Sequence, residues 1–147
     1  MGFVILAAIV CLAAIVIQRN RARARTAPLV SEIEAQVCFE SRLDRVCTLG
    51  RGGRAGTRGV WINVRGPKRL IVGTDAFMIS APRALGEFVF TGRESSIALT
   101  QMRFGPADRD WIVIKGLGDG SQVELAITTD GNLMDVWHAL AGAGASL

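Results

Sequence analysis

The chain has 147 residues, half of them hydrophobic, with 17 basic residues against 13 acidic ones and three cysteines. That length bounds it to about one ordinary domain with a modest core, and three cysteines without a CxxC motif give no metal or redox signature. Fifteen of the 17 basic residues are Arg, only two are Lys, and Tyr is absent, a composition that suits a GC-rich, actinobacterial-type genome.

In chain order, Gly2 to Ile17 (GFVILAAIVCLAAIVI) comes first, and it holds no charge and no strongly polar group. A helix of that length reaches about 24 Å, against a hydrocarbon core of about 30 Å. A secretory signal carries its positive charge before the apolar run. Here Arg19, Arg21, Arg23 and Arg25 follow it. Arginine beside a membrane marks the cytoplasmic side, and such side chains snorkel to extend a short span. The expectation is a single-pass transmembrane helix over residues 1–18 in the cell membrane, with the N-terminus outside and the C-terminal domain in the cytoplasm. An export signal is the competing reading. Free thiols at Cys38 and Cys47 go with a cytoplasmic domain, and a disulfide between them goes with an oxidising compartment.

Residues 19–58 read as a cationic juxtamembrane segment. Ser31 and Glu34 have capping-box spacing, so a short helix is expected from about Glu32. Ile33 and Val37 share one face, while Phe39, Leu43 and Val46 share another. The alternative is a short hairpin added to the domain behind it. The segment closes on GRGGRAGTRG, Gly50 to Gly59, with five glycines and three arginines.

From Val60 the apolar period changes to two, as in half-buried strands. Val60, Ile62 and Val64 alternate with polar or aromatic neighbours, and Gly66-Pro67 breaks the run. RLIVG, AFMIS, EFVFT, SIALTQM, DWIVIK and QVELAIT follow as further strands, the last two joined across Asp119-Gly120, a hairpin signal. In the final segment Leu133, Val136, Trp137 and Leu140 stand at i, i+3, i+4 and i+7, the stripe of an amphipathic helix. Asp130 or Asn132 caps its start, and Gly142 and Gly144 end it.

Seven strands and a terminal helix over residues 59–147 resemble the pleckstrin-homology-like (PH-like) domains, including bacterial and GRAM-type versions. The resemblance rests on RLIVGTDAFMIS as strand-turn-strand, on SIALTQM before the WIVIK hairpin, and on the helix carrying Trp137. It implies a mainly β fold, a seven-stranded antiparallel barrel or sandwich capped by a C-terminal α-helix, in which Trp137 plugs the core.

Catalytic signatures are missing from the sequence. His138 is the single histidine, and no HExxH, nucleophile elbow or clustered acid pair occurs. GRGGRA fits a loose dinucleotide pattern but leads into a strand rather than opening a helix. No cofactor or metal is expected, Ser95 and Ser96 read as turn residues, and Trp61 and Trp111 read as core or rim. No enzyme is expected.

Charge is uneven. Arg42 to Arg69 holds eight basic residues and one acid, whereas five basic residues and nine acids follow from Leu70 onward. In lipid-binding PH domains, basic residues around the first hairpin grip an anionic headgroup. The positions here that match are Arg51, Arg54, Arg58, Arg65, Lys68 and Arg69. The other readings of the Arg-Gly tract are a flexible, solvated linker and, with less support, an RNA-binding tract. The expected function is a non-enzymatic, membrane-tethered interaction module that contacts anionic lipid through a basic face. The alternative is an accessory subunit or assembly factor of a larger membrane protein complex, packed through Ala7, Ala8, Ala13 and Ala14.

Overall fold

In the structure, a computed structural model, α1 (Gly2–Ala35) is one continuous helix. The structure describes residues 2–50, 60–82, 86–103, 108–118 and 121–147. The two ends of α1 differ. Its last turns place Leu29, Val30 and the buried Ile33 against Ile71, Ala76, Met78 and Val89. Between Ile5 and Ile17, by contrast, the large aliphatic side chains stay exposed. Ser31 lies inside this helix and so does not cap a new one.

Among the described residues, no helix is long and apolar enough to cross a membrane. This overturns the expected single-pass anchor over residues 1–18, and with it the membrane localisation and the outside-to-cytoplasm orientation. The physical reason is visible along α1. The apolar stretch stops short of a bilayer's thickness, and the helix runs on without a break through the arginines to its docking turns.

Nine strands follow α1 among the described residues: β1 (Phe39–Arg42), β2 (Arg45–Gly50), β3 (Val60–Asn63), β4 (Arg69–Val72), β5 (Ala76–Ala81), β6 (Gly86–Thr91), β7 (Ser96–Arg103), β8 (Asp108–Gly118) and β9 (Ser121–Thr128). A second helix, α2 (Leu133–Gly142), comes after them. The strands form two antiparallel sheets, in the orders β1-β4-β5-β6 and β3-β2-β9-β8-β7. This corrects the seven-stranded fold. The seven stretches read from Val60 onward are β3 to β9, and two more strands come from residues 39–50, which overlap the stretch read as a short helix with a hairpin as the alternative. Both β1 and β2 are strands, but they lie in different sheets and do not pair as a hairpin. Phe39, Leu43 and Val46 sit on the core side there, at spacings that suit either a helix or a bent strand.

The chain passes between the sheets three times, the last time through the Gly92–Glu94 turn between β6 and β7; the first two crossings are tight corners. Leu43 N donates to the Lys68 carbonyl at the four-stranded sheet, and the next residue, Asp44, donates to the Thr128 carbonyl at the five-stranded sheet, each at 3.0 Å. The chain thus changes sheets between β1 and β2. It does so again between β3 and β4: Val64 N still donates to Val46 O, then Gly66 adopts φ +88°, and Pro67 offers no N–H to continue the ladder. Gly66-Pro67 is therefore a crossing between sheets and not the tip of a hairpin. Strands that switch sheets at a bend are what make the corners of crossed-sheet packings.

The core fills the space between the sheets. Phe77 and Phe90 stack at 5.2 Å with their planes 17° apart, surrounded by Val46, Leu70, Ile79, Ile112, Ile114, Leu125 and Ile127, all essentially inaccessible. Helix α2 adds Val136 and Leu140 to this core. Trp137 packs against it while staying partly exposed, so the helix docks through Val136 and Leu140 with the indole at the margin of the core. Asn132 caps α2, its Oδ1 accepting from Met134 N at 3.1 Å. At the far end Gly144 adopts φ +93°, while Gly144 N donates to Ala141 O and Ala145 N to Leu140 O, the Schellman arrangement. A smaller cluster of Cys47, Trp111, Val113 and Ala126, with Trp61 and Met102 against it, lies on the other face of the five-stranded sheet.

Candidate interaction surfaces

The six basic residues expected to grip an anionic headgroup fall into two groups. Arg51, Arg54 and Arg58, with the rest of residues 51–59, lie outside the described residues. The other three sit at the second corner and at the start of β4, and they do not converge. Lys68 is buried, and its Nζ donates to the Asp44 carbonyl at 3.2 Å, tying one corner to the other. Arg69 pairs with Glu40 across β4 and β1, Nη1 to Oε1 at 3.0 Å. Arg65 is exposed.

The same corners carry an ion-pair cluster that sequence reasoning missed. Arg109 Nη1 donates to Asp44 Oδ2 at 2.8 Å and to Asp130 Oδ1 at 3.2 Å. These three residues come from the β1–β2 corner, β8 and the loop after β9, so no local spacing announces them. Thr129 Oγ1 adds a bond to the Arg42 carbonyl at 3.0 Å. A polar cleft of about 710 Å³ opens here between Ser41–Asp44, Gly66-Pro67 and Thr129–Gly131. Its carboxylates already hold a cation, and Lys68 and Thr129 bond across from one loop to another, so the arrangement reads as a brace for the first two crossings.

Cys38 and Cys47 are free thiols. Cys38 is exposed ahead of β1, while Cys47 is buried in β2. Burial pushes the Cys47 thiol up from its ordinary range, with Arg45 and Lys68 pulling weakly the other way. Ser95 donates its Oγ to the Thr91 carbonyl at 2.7 Å and closes the single 3-10 turn Gly92–Glu94. His138 is exposed on α2 and borders an open groove of about 570 Å³ with Cys38, Phe39, Val72 and Ala139. Among the described residues, no group of three or more His, Cys, Asp or Glu side chains is placed to hold a metal ion.

An exposed apolar surface lies on α1. Eight large aliphatic side chains between Ile5 and Ile17 are each 51% to 62% exposed. Residues on a helix follow one another at about 100°, which spreads these eight over more than half of the circumference. Ala7, Cys11 and Ala14, at i, i+4 and i+7, fill the remaining sector, and they too are exposed. Comparison with protein-family models, curated proteins and solved structures finds no match to this chain. The fold therefore has no PH-like assignment, and any functional reading rests on these surfaces.

Proposed function

We propose that this chain is a non-enzymatic interaction module that works as a subunit of a larger protein assembly, held there by the N-terminal half of α1. The observation that carries the reading is the apolar surface of that half, unmatched by anything in its own β-structure. Fully burying a Val, Leu or Ile side chain is worth about 1.5–3 kcal/mol. Eight side chains that are half exposed therefore leave on the order of 10 kcal/mol of burial to be collected from a neighbour.

The distribution of that surface selects the kind of neighbour. A helix that is apolar all round has to be covered all round. One helix of a second copy would cover a single face. A partner that presents several apolar helices covers the rest, and the small face of Ala7, Cys11 and Ala14 lets one of them come close. The last turns of α1, docked through Leu29, Val30 and Ile33, then fix the β-structure at the rim of that partner.

The test uses the full chain, isolated from its native source in mild detergent. A partner protein is expected at fixed stoichiometry. Ala7→Leu combined with Ala14→Leu keeps the helix apolar but fills its close-approach face, and is expected to release the partner. A full chain that carries only detergent, or a double variant that keeps the partner unchanged, overturns the reading.

A further inference from the structure

Strand β7 is an edge strand, paired with β8 on one side. Its other side is occupied at its first residues by the end of the chain. Ser146 bridges Ser96 in the parallel direction: Ser146 N donates to Ser95 O at 2.9 Å, and Ile97 N donates to Ser146 O at 2.8 Å. Those bonds reveal which backbone groups face outward. Residues along a strand turn their N–H and C=O alternately to one side and the other. Because Ser95 and Ile97 face out, so do Leu99 and Gln101. Beyond Ile97, no described residue pairs with this edge.

Side chains at the open part match an apolar ligand. Leu99 and Met134, 46% and 43% exposed, wall a groove of about 310 Å³ between β7 and α2, with Leu133 beside them and Gln101 and Asp110 at its border. Natural sheets blunt their edges with proline, lysine or bulges. The stretch Ala98–Met102 holds no proline or lysine, and its pairing with β8 runs through without a bulge.

We infer that the β7 edge and the groove beside α2 bind an extended peptide segment of a partner protein. The segment adds as a strand parallel to β7, in line with the chain's own Ser146, and seats apolar side chains at alternate positions on Leu99, Leu133 and Met134. Main-chain bonds to Leu99 and Gln101 hold it, and the groove selects its side chains. Asp110, exposed and without an ion pair among the described residues, disfavours acidic residues there. The one extended segment seen on this edge, at Ser146, runs parallel to β7, whereas two copies related by a two-fold axis and joined edge to edge meet antiparallel, which favours a peptide over a second copy. This surface is distinct from the apolar half of α1.

A displayed library of random eight-residue peptides, selected against the full chain in mild detergent, tests the inference. Enriched peptides are expected to carry apolar residues at every second position and few acids. Gln101→Pro removes one outward N–H while leaving the β8 side of the ladder intact, as edge positions allow; thermal unfolding checks that it folds. Binding of the selected peptides is expected to fall at least tenfold on Gln101→Pro, on Leu99→Asp, and on N-methylation of alternate peptide bonds. No enrichment over a parallel selection on Gln101→Pro overturns the inference, as do peptides indifferent to N-methylation. Self-association of the chain that Gln101→Pro abolishes overturns it in favour of a second copy.

Discussion

Gly92 and Ala143 meet backbone to backbone: a methyl group built on Gly92 would collide with the Ala143 carbonyl. This contact seats the end of α2 on the turn after β6, where Gly92 N also donates to Asp75 O at 2.8 Å. No rotamer change relieves a clash with backbone, so Gly92→Ala has to move either the turn or the helix. It is expected to cost about 3 kcal/mol. Gly142, one residue before Ala143, has nothing within 4 Å of its would-be methyl. Gly142→Ala is expected to be neutral or to stabilise by about 0.5–1 kcal/mol. Chemical denaturation of the two variants checks the pair, and equal effects would refute the contact.

Helix α2 buries Val136 and Leu140 more deeply than Trp137. Leu140→Ala is expected to cost about 2–5 kcal/mol, a transfer term plus a cavity. Trp137→Ala is expected to cost less, because the indole packs at the margin of the core and keeps part of its surface in water. The order of the two losses is the measurement. A larger loss at Trp137 would place the indole, and not the aliphatic pair, at the centre of the docking face.

The buried Cys47 thiol ties stability to alkaline pH. Its folded-state pKa is raised, chiefly by burial, so above the ordinary thiol pKa the unfolded chain loses a proton that the folded chain keeps. Stability is then fully present below that pKa and falls as pH rises toward the folded value. Cys47→Ala is expected to flatten this slope, as read by denaturation midpoints across the alkaline range. Thiol labelling gives a second readout. Exposed Cys11 and Cys38 are expected to react at once, and Cys47 only as the fold opens.

Arg109 holds two carboxylates of unequal exposure. Asp44 is 32% exposed and Asp130 75% exposed. A double-mutant cycle between Arg109→Gln and Asp44→Asn is expected to return about 0.5–1 kcal/mol of coupling, declining with salt. The cycle with Asp130→Asn is expected near zero, since a solvated pair gains little. Equal couplings would show that the corner is not braced through Asp44.

Some of this fold was legible in the residues. The period-two runs from Val60 onward mark β3 to β9 because each strand keeps one face on the core, as Leu125 and Ile127 do in β9. Asn132 and Gly144 announce the ends of α2 because capping chemistry is local. The segment 39–50 was not legible. Its apolar spacing suits helix or strand, and although β2 pairs with nearby β3, β1 finds its partner more than twenty residues away in β4 and the other side of β2 pairs far along the chain with β9. Of the candidate surfaces, the apolar half of α1 stood out in the sequence as a run, but that its side chains stay exposed is seen only in the fold.

What the sequence determined by itself is therefore whatever depends on neighbours along the chain: the apolar half of α1, the alternation of the later strands, and the caps of α2. Hydrophobic period and capping act within a few residues, so they can be read from a string. Only the tertiary structure decided that Gly66-Pro67 crosses between sheets, that Lys68 is buried against the Asp44 carbonyl, that Arg109 reaches both Asp44 and Asp130, and that β7 is left as an edge beside α2. Each of these depends on which backbone groups find partners across the fold, and hydrogen bonds between distant strands leave no periodic trace in sequence.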